Sequence, residues 1–221
     1  MVHSQVEGKM ELLKIKENNV FIGMGILDIN TVSESLYRNW EERISECRKK
    51  AVCYKKEIDK KRSVCSEILI KELGSFFLKV DKDNLKLQKE KSGKPYFSDI
   101  NYSISISHSG AYVVGIISDA KVGIDIEKMS DLEWKTVNHI FSVEDLEYIQ
   151  GQEHIGKELT ETQNERFFEV WTTKEAYAKM CGTGLTKSIF SIPHSDIVSK
   201  IILFDGYVVS YVFVKGEKAY E

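Results

Sequence analysis

Val122-Gly-Ile-Asp-Ile-Glu127 alternates with period two: Val122, Ile124 and Ile126 fall on one side, Gly123, Asp125 and Glu127 on the other. That is the pattern of a β-strand with one face in a core. Asp125 and Glu127 therefore leave the same face with α-carbons about 6.5–7 Å apart. Two carboxylates at that spacing can close around one hard divalent cation, and Mg²⁺ suits such oxygen ligands. The pair is weak by itself, because 34 acidic residues in 221 give about five acid-x-acid pairs by chance. A solvated strand face is the commoner outcome.

Working outward, Tyr102-Ser-Ile-Ser-Ile-Ser107 and Tyr112-Val-Val-Gly-Ile-Ile117 also read as strands, with His108-Ser109-Gly110 as a hairpin turn between them. Val20–Ile29 reads as a buried strand. Ser33 is placed to cap a helix running to about Lys50, and a second helix spans about Arg62–Phe77, ended or interrupted by Gly74. Helical patterns near 130–150 and 163–181 precede strands that end in Tyr207-Val-Val-Ser-Tyr-Val-Phe213. Gly25-Ile-Leu-Asp-Ile29 echoes Gly123-Ile-Asp-Ile126, and Tyr112-Val-Val echoes Tyr207-Val-Val. Two similar α+β halves would produce this, although strands favour Val, Ile and Tyr in any case.

Composition narrows the function classes. With 42% apolar residues the chain can bury a sizeable core, and a net charge of −3 from 31 Lys and Arg against 34 Asp and Glu gives no global pull towards nucleic acid or an anionic membrane. An anion site must be local. The longest apolar stretch, Val20–Ile29, falls far short of the roughly 20 residues of a membrane helix, and residues 1–19 show no apolar secretory core. A cytoplasmic location is expected. Cys47, Cys53, Cys65 and Cys181 form no C-x-x-C pair and are expected to be ordinary thiols.

Phe167–Met180 places Lys174, Glu175 and Lys179 on an otherwise apolar helix, with Trp171 one turn before Glu175 and Lys179 one turn after it. Either this is a surface ion pair, or Glu175 is a third metal ligand and the two lysines hold phosphates. Ser92-Gly-Lys-Pro-Tyr96 and Ser105-Ile-Ser-His-Ser-Gly110 offer glycines for close backbone approach to an anion, and Lys94, Ser107 and His108 as donors. Taken singly, both strings read as ordinary turns.

In this order, Gly93-Lys-Pro-Tyr96, Ser105–Gly110, Val122–Glu127, Ile140-Phe-Ser142 and Trp171-Thr-Thr-Lys-Glu175 resemble the 4′-phosphopantetheinyl transferases of the surfactin-synthetase-activating (Sfp) type. The likeness runs over roughly residues 48–190. It implies an α+β fold of two similar α/β subdomains in pseudo-twofold arrangement, residues 1–119 and 120–221, with the active site at their interface and the metal ligands in the second half. It also implies transfer of the phosphopantetheine arm of coenzyme A to a serine of an acyl or peptidyl carrier protein, with release of adenosine 3′,5′-bisphosphate. No nucleic-acid or membrane partner is implied, and a monomer is expected by analogy.

By the family pattern Asp125, Glu127 and Glu175 resemble the Mg²⁺ ligands, and Lys174 and Lys179 the groups that neutralise the phosphates. Ser107 and His108 match the phosphate-contacting turn, and Lys94, Pro95 and Tyr96 the adenine and phosphate loop. The basic stretch Lys55–Ser63 is similar, less closely, to the segment that reaches the 3′-phosphate, with Arg62 and Ser63 the best matches. Where the family often reads Phe-Ser-x-x-Glu, this chain has Phe141-Ser-Val-Glu-Asp145, which shifts the acid to Asp145 with Glu144 beside it. A serine hydroxyl is a poor nucleophile and a diphosphate a highly anionic target, so charge neutralisation is needed at least as much as a base. Glu175 or the Glu144/Asp145 pair could take the proton. The rival readings are a catalytically silent carrier-binding module and another Mg²⁺-dependent phosphoryl enzyme.

Overall fold

A computed structural model describes residues 9–46, 48–49, 56–137, 141–184 and 196–216. Cys47, Cys53, Lys55 and Ile140 lie outside them. The chain folds as β1 (Met10–Glu17), β2 (Val20–Asp28), α1 (Glu34–Arg43), α2 (Glu57–Leu78), β3 (Leu87–Lys89), β4 (Pro95–Phe97), β5 (Ser103–Ser109), β6 (Tyr112–Ser118), β7 (Val122–Lys128), α3 (Trp134–Val137), α4 (Val143–Gln150), α5 (Glu161–Cys181), β8 (Ile197–Phe204) and β9 (Tyr207–Val214). The mixed α/β architecture agrees with the sequence reading, and β1 is a strand it did not contain. Among the described residues no helix is long and apolar enough to cross a membrane.

A four-stranded antiparallel sheet in the order β1-β2-β6-β5 and a three-stranded one in the order β7-β9-β8 form the two main sheets. Each half follows one strand–helix–hairpin plan. In both, the last strand lies between the first and the middle one: β2-β6-β5 and β7-β9-β8. Helix α2 packs on β2 and β6, and α5 packs on β7 and β9. The opposite faces meet through Ile22, Val114, Ile116, Ile124, Tyr211 and Phe213, all buried.

Local chemistry explains most boundaries. Ser33 accepts from the Leu36 amide at the start of α1, and α1 stops at Arg43, short of the expected Lys50. Ser142 with Asp145, and Thr160 with Gln163, form reciprocal capping boxes at the starts of α4 and α5. Gly74 does not end α2. It sits inside the helix, where a β-carbon would come within 2.8 Å of Leu85, so glycine there permits packing against Leu85 and Phe97. The hairpin turn comes later than expected: β5 runs through His108 to Ser109, and Gly110-Ala111 make the turn. Of the cysteines within the described residues, Cys65 is buried, with burial pushing its thiol up to about 12, and Cys181 is exposed.

What holds the sheets side by side is a row of serines. Ser103 Oγ accepts from Val122 N at 3.2 Å, Ser105 Oγ from Ile124 N at 3.2 Å and Ser109 Oγ from Lys128 N at 3.1 Å. The outer edge of β7 is thus satisfied by hydroxyls instead of a backbone ladder. The same row leads directly into the site.

Candidate active site

Ser107 is the fourth serine, and opposite it stands Asp125. Its hydroxyl donates to Asp125 Oδ1 at 2.7 Å, and the Lys179 ammonium of α5 reaches both Ser107 Oγ at 2.7 Å and Asp125 Oδ1 at 2.5 Å. Asp125 is only 2% exposed, so a solvated strand face is not what the alternation of β7 produced. A buried carboxylate requires compensation, and Lys179 and Ser107 provide it at one oxygen. The other, Oδ2, is buried without a hydrogen-bond partner.

Glu127 and Glu175 flank this pair. Burial first, and the nearby Asp125 charge second, raise the carboxyls of both above the ordinary range. Lys179 pulls each back down, and a 2.9 Å hydrogen bond from Ser109 does the same for Glu127. One ammonium thus stands among three desolvated acids. Gly123 makes this approach of strand and helix possible: a β-carbon on it would fall 1.9 Å from Ala176 O and 2.7 Å from Met180 N. Only glycine lets β7 run this close to α5.

Among the described residues, no three Asp, Glu, His or Cys side chains are already gathered as a metal-binding group. The donor set nevertheless fits a hard divalent cation. Asp125 Oδ2 is an oxygen buried without a partner, and Glu127 and Glu175 add two more hard carboxylate oxygen donors that interact with Asp125.

A cleft of about 310 Å³ opens beside this group, lined by Ser92–Pro95, Ser105, Glu175, Lys179 and Gly182 among others. Lys94 crosses it to donate from Nζ to Met180 O in the last turn of α5 at 2.7 Å, and burial lowers its pKa. Gly93 has a φ of +89° and nothing within 4 Å of where a side chain would start, which leaves its backbone open to the cleft. Tyr96 donates to Gln88 at 2.8 Å, and His108 is exposed at the end of β5.

Other expected residues are placed differently. Lys174 is 6% exposed and pairs with Asp145 Oδ2 at 2.9 Å, outside the cleft lining. Asp145 is also engaged by the Ser142 amide and hydroxyl, and Glu144 is exposed on α4. Arg62 donates from Nε and Nη2 to Gly110 O at 3.0 and 2.8 Å, bracing the turn that follows His108, and Ser63 is buried in α2. The serine row as a seam went unread. Its signal was present: serine at every second position of β5, 18 or 19 residues before its β7 partner.

Comparison with known proteins gives the family. Residues 121–212 match a family model described as the 4′-phosphopantetheinyl transferase superfamily, and residues 34–120 match one described as 4′-phosphopantetheinyl transferase, N-terminal. The chain belongs to the 4′-phosphopantetheinyl transferase superfamily. It is 31% identical over 157 residues to the 4′-phosphopantetheinyl transferase gsp of Aneurinibacillus migulanus, covering 71% of this chain and 63% of gsp. To psf-1 of Bacillus pumilus it is 30% identical over 135 residues, covering 61% and 55%. To Sfp of Bacillus subtilis (strain 168) it is 29% identical over 175 residues, covering 77% and 74%. The chain thus spans less than two thirds of the length of gsp and psf-1.

Proposed function

We propose that this protein transfers the 4′-phosphopantetheine arm of coenzyme A to a serine hydroxyl of an acyl or peptidyl carrier protein. The carrier oxygen forms a new bond to the phosphorus next to the pantetheine, the bond from that phosphorus to the leaving oxygen breaks, and adenosine 3′,5′-bisphosphate departs. The observation that carries this reading is the convergence of Asp125, Ser107 and Lys179 beside the Glu175-lined cleft, in a chain of this superfamily. Residues 1–119 and 120–221 are read as halves in a pseudo-twofold arrangement with the active site where they meet. The repeated strand order supports this.

Asp125, Glu127 and Glu175 are the residues that would hold Mg²⁺, which when bound supplies positive charge to the diphosphate. Lys179, 31% exposed at its side chain, can hold a phosphate oxygen without leaving the site. Ser107 fixes the rotamer of Asp125. Of the candidate bases, Glu175 is the one that lines the cleft. Asp145 is committed to Ser142 and Lys174, so it and Glu144 are the weaker candidates, and Lys174 is set back from the cleft lining. Lys94, Pro95, Tyr96 and His108 are assigned to coenzyme A binding. Arg62 supports the turn after His108 through Gly110, and Ser63 is buried in α2. A cytoplasmic monomer without nucleic-acid or membrane partners completes the reading.

The test is incubation with coenzyme A, Mg²⁺ and an apo carrier, followed by intact mass. A gain of one phosphopantetheine on the carrier, with adenosine 3′,5′-bisphosphate released, is expected. An unmodified carrier with intact coenzyme A leaves the silent-module reading, and hydrolysed coenzyme A with an unmodified carrier indicates a different phosphoryl enzyme.

A further inference from the structure

The two oxygens of Asp125 stand in different surroundings. Oδ1 takes both the Ser107 hydroxyl at 2.7 Å and the Lys179 ammonium at 2.5 Å, while Oδ2 is buried without a hydrogen-bond partner. A carboxylate this buried needs its charge offset, and Lys179 is the ammonium that does so. The two members of the pair differ in freedom. Asp125 is fixed on β7, paired with Ser210 of β9 on one side and held by Ser107 on the other. The Lys179 side chain is 31% exposed and lines the cleft with Glu175.

Glu127 and Glu175 both interact with Asp125 and with Lys179. When all three carboxylates are ionised, one ammonium faces three anions and the group keeps two negative charges in excess. A divalent cation matches that excess. Yet an ammonium on Oδ1 repels any cation that approaches Oδ2 of the same carboxylate, and in a desolvated site that repulsion is weakly screened. Lys179 is therefore both the support of Asp125 and a competitor for it. A point charge on a flexible four-carbon stem can resolve the conflict by moving: the backbone of Lys179 stays in α5 while its ammonium swings from Asp125 to an anion in the cleft.

We propose that Lys179 is an exchangeable counter-ion, which yields Asp125 to a divalent cation and takes a diphosphate oxygen of the substrate in return. The inference rests on the transferase reading for the metal and the diphosphate. Its consequence is cooperative binding of the two. Lys179 released from Asp125 is available to the diphosphate, and the diphosphate gives the released ammonium its anion, so each ligand favours the other by the same factor.

The test is Mn²⁺ binding to the full chain without carrier, read as loss of the free-ion signal in electron paramagnetic resonance, so that no turnover enters. Lys179→Gln keeps a donor for Asp125 and Ser107 and removes the charge. It should bind Mn²⁺ alone roughly tenfold or more tightly than the parent. Coenzyme A should then raise its Mn²⁺ affinity by a smaller factor than it raises the parent's. Lys179→Arg, which keeps the charge, should bind Mn²⁺ alone within about threefold of the parent. A lysine that only holds substrate leaves the affinity for Mn²⁺ alone unchanged in Lys179→Gln, and one that only supports the fold weakens it; either result overturns the proposal. Should Lys179→Gln fail to fold, the parent carries the test. Its Lys179 ¹⁵Nζ signal, assigned by its absence in Lys179→Arg, should broaden away when Mg²⁺ alone is added at concentrations that displace Mn²⁺, and an unchanged signal overturns the proposal. Absence of Mn²⁺ binding in parent and variants, with or without coenzyme A, overturns it together with the metal assignment. Mn²⁺ binding without the charge effect overturns it alone, and the mass assay reports on transfer separately.

Discussion

The outer edge of β7 and the outer edge of β2 occupy equivalent places in the two halves, yet one carries the candidate site and the other is solid core. Tyr112 pairs with Asp28 and Tyr207 with Lys128. Laying the hairpins on each other at those tyrosines sets Gly23 opposite Gly123, Gly25 opposite Asp125 and Leu27 opposite Glu127. The helices align just as closely. Both end on a left-handed residue, Lys79 and Gly182, and matching those ends brings Lys71-Glu72 opposite Lys174-Glu175, Phe76 opposite Lys179 and Phe77 opposite Met180. Two lysines corroborate the match: Lys14 donates to Phe77 O at 2.8 Å and Lys94 to Met180 O at 2.7 Å.

What differs is the edge partner. In the first half β1 pairs fully with β2 and lays Leu12 beside Gly25 and Leu69, which fills the space with hydrocarbon. In the second half β5 meets β7 through hydroxyls, so the same position can hold a carboxylate with a hydroxyl and an ammonium on it. The lesson is that a buried charge is tolerated where a neighbouring strand offers side-chain donors in place of a closed backbone ladder.

The largest expected effect tests the paired glutamates. Glu175→Gln keeps the shape and removes the charge; it should lower carrier modification about 10²–10³-fold, the usual scale for a lost charge-stabilising group. Glu72→Gln, at the matching position but tied to Lys82, should leave the rate within about twofold. Rates come from the mass assay, and folding from circular dichroism. Equal losses in both variants would erase the functional distinction between the halves.

Next come the paired glycines. A β-carbon on Gly123 meets backbone at 1.9 and 2.7 Å, whereas one on Gly23 meets the side chains of Phe77 and Ile117 at 2.7 and 2.8 Å. Backbone cannot rotate away and side chains can. Gly123→Ala should therefore cost about 3 kcal/mol in urea unfolding and Gly23→Ala about 1 kcal/mol, the two ends of the overpacking range. A reversed order would mean that α5 is the more loosely seated helix.

The seam itself predicts a smaller effect. Ser105→Ala strands the buried Ile124 amide and should cost about 1–3 kcal/mol. Ser199→Ala, an exposed serine on β8, the strand that corresponds to β5, should be neutral within about 0.5 kcal/mol. Urea titration of the two variants measures both.

These contrasts also show what the sequence made legible. Period-two runs exposed β5, β6 and β7, a continuous apolar run exposed β2, and the charged triplet on an apolar helix exposed α5, because burial writes a period or an unbroken apolar run into a strand or helix. β1 was missed: Met-Glu-Leu-Leu-Lys-Ile-Lys-Glu mixes its faces, with a buried Met10 and Leu12 giving way to half-exposed Leu13, Lys14 and Ile15. Asp125 and Glu175 could be named as carboxylates of the right type, but their burial could not be read. It depends on the closeness of β7 and α5, set by Gly123, and on Lys179 arriving 54 residues away. The pairing of Lys174 with Asp145 was hidden for the same reason, since long-range partners leave no local period.

The smallest expected effect is a pH dependence at the matched lysines. Burial lowers the pKa of Lys94 below the usual 10.5, so between that lowered value and 10.5 the unfolded chain binds a proton that the folded chain does not. Stability then rises with pH across that window, and the cost of burying the ammonium is fully present below it. Lys94→Met removes the titration together with the hydrogen bond to Met180 O. The melting temperature of the parent protein relative to Lys94→Met should therefore shift in the parent's favour as pH increases from 7 towards 10. Lys14 is also lowered, by burial first and by the Lys79 charge second, so Lys14→Met should show the same sign. A flat difference for Lys94 with a rising one for Lys14 would mean that only the first half encloses its lysine, and would break the correspondence between the two helix ends.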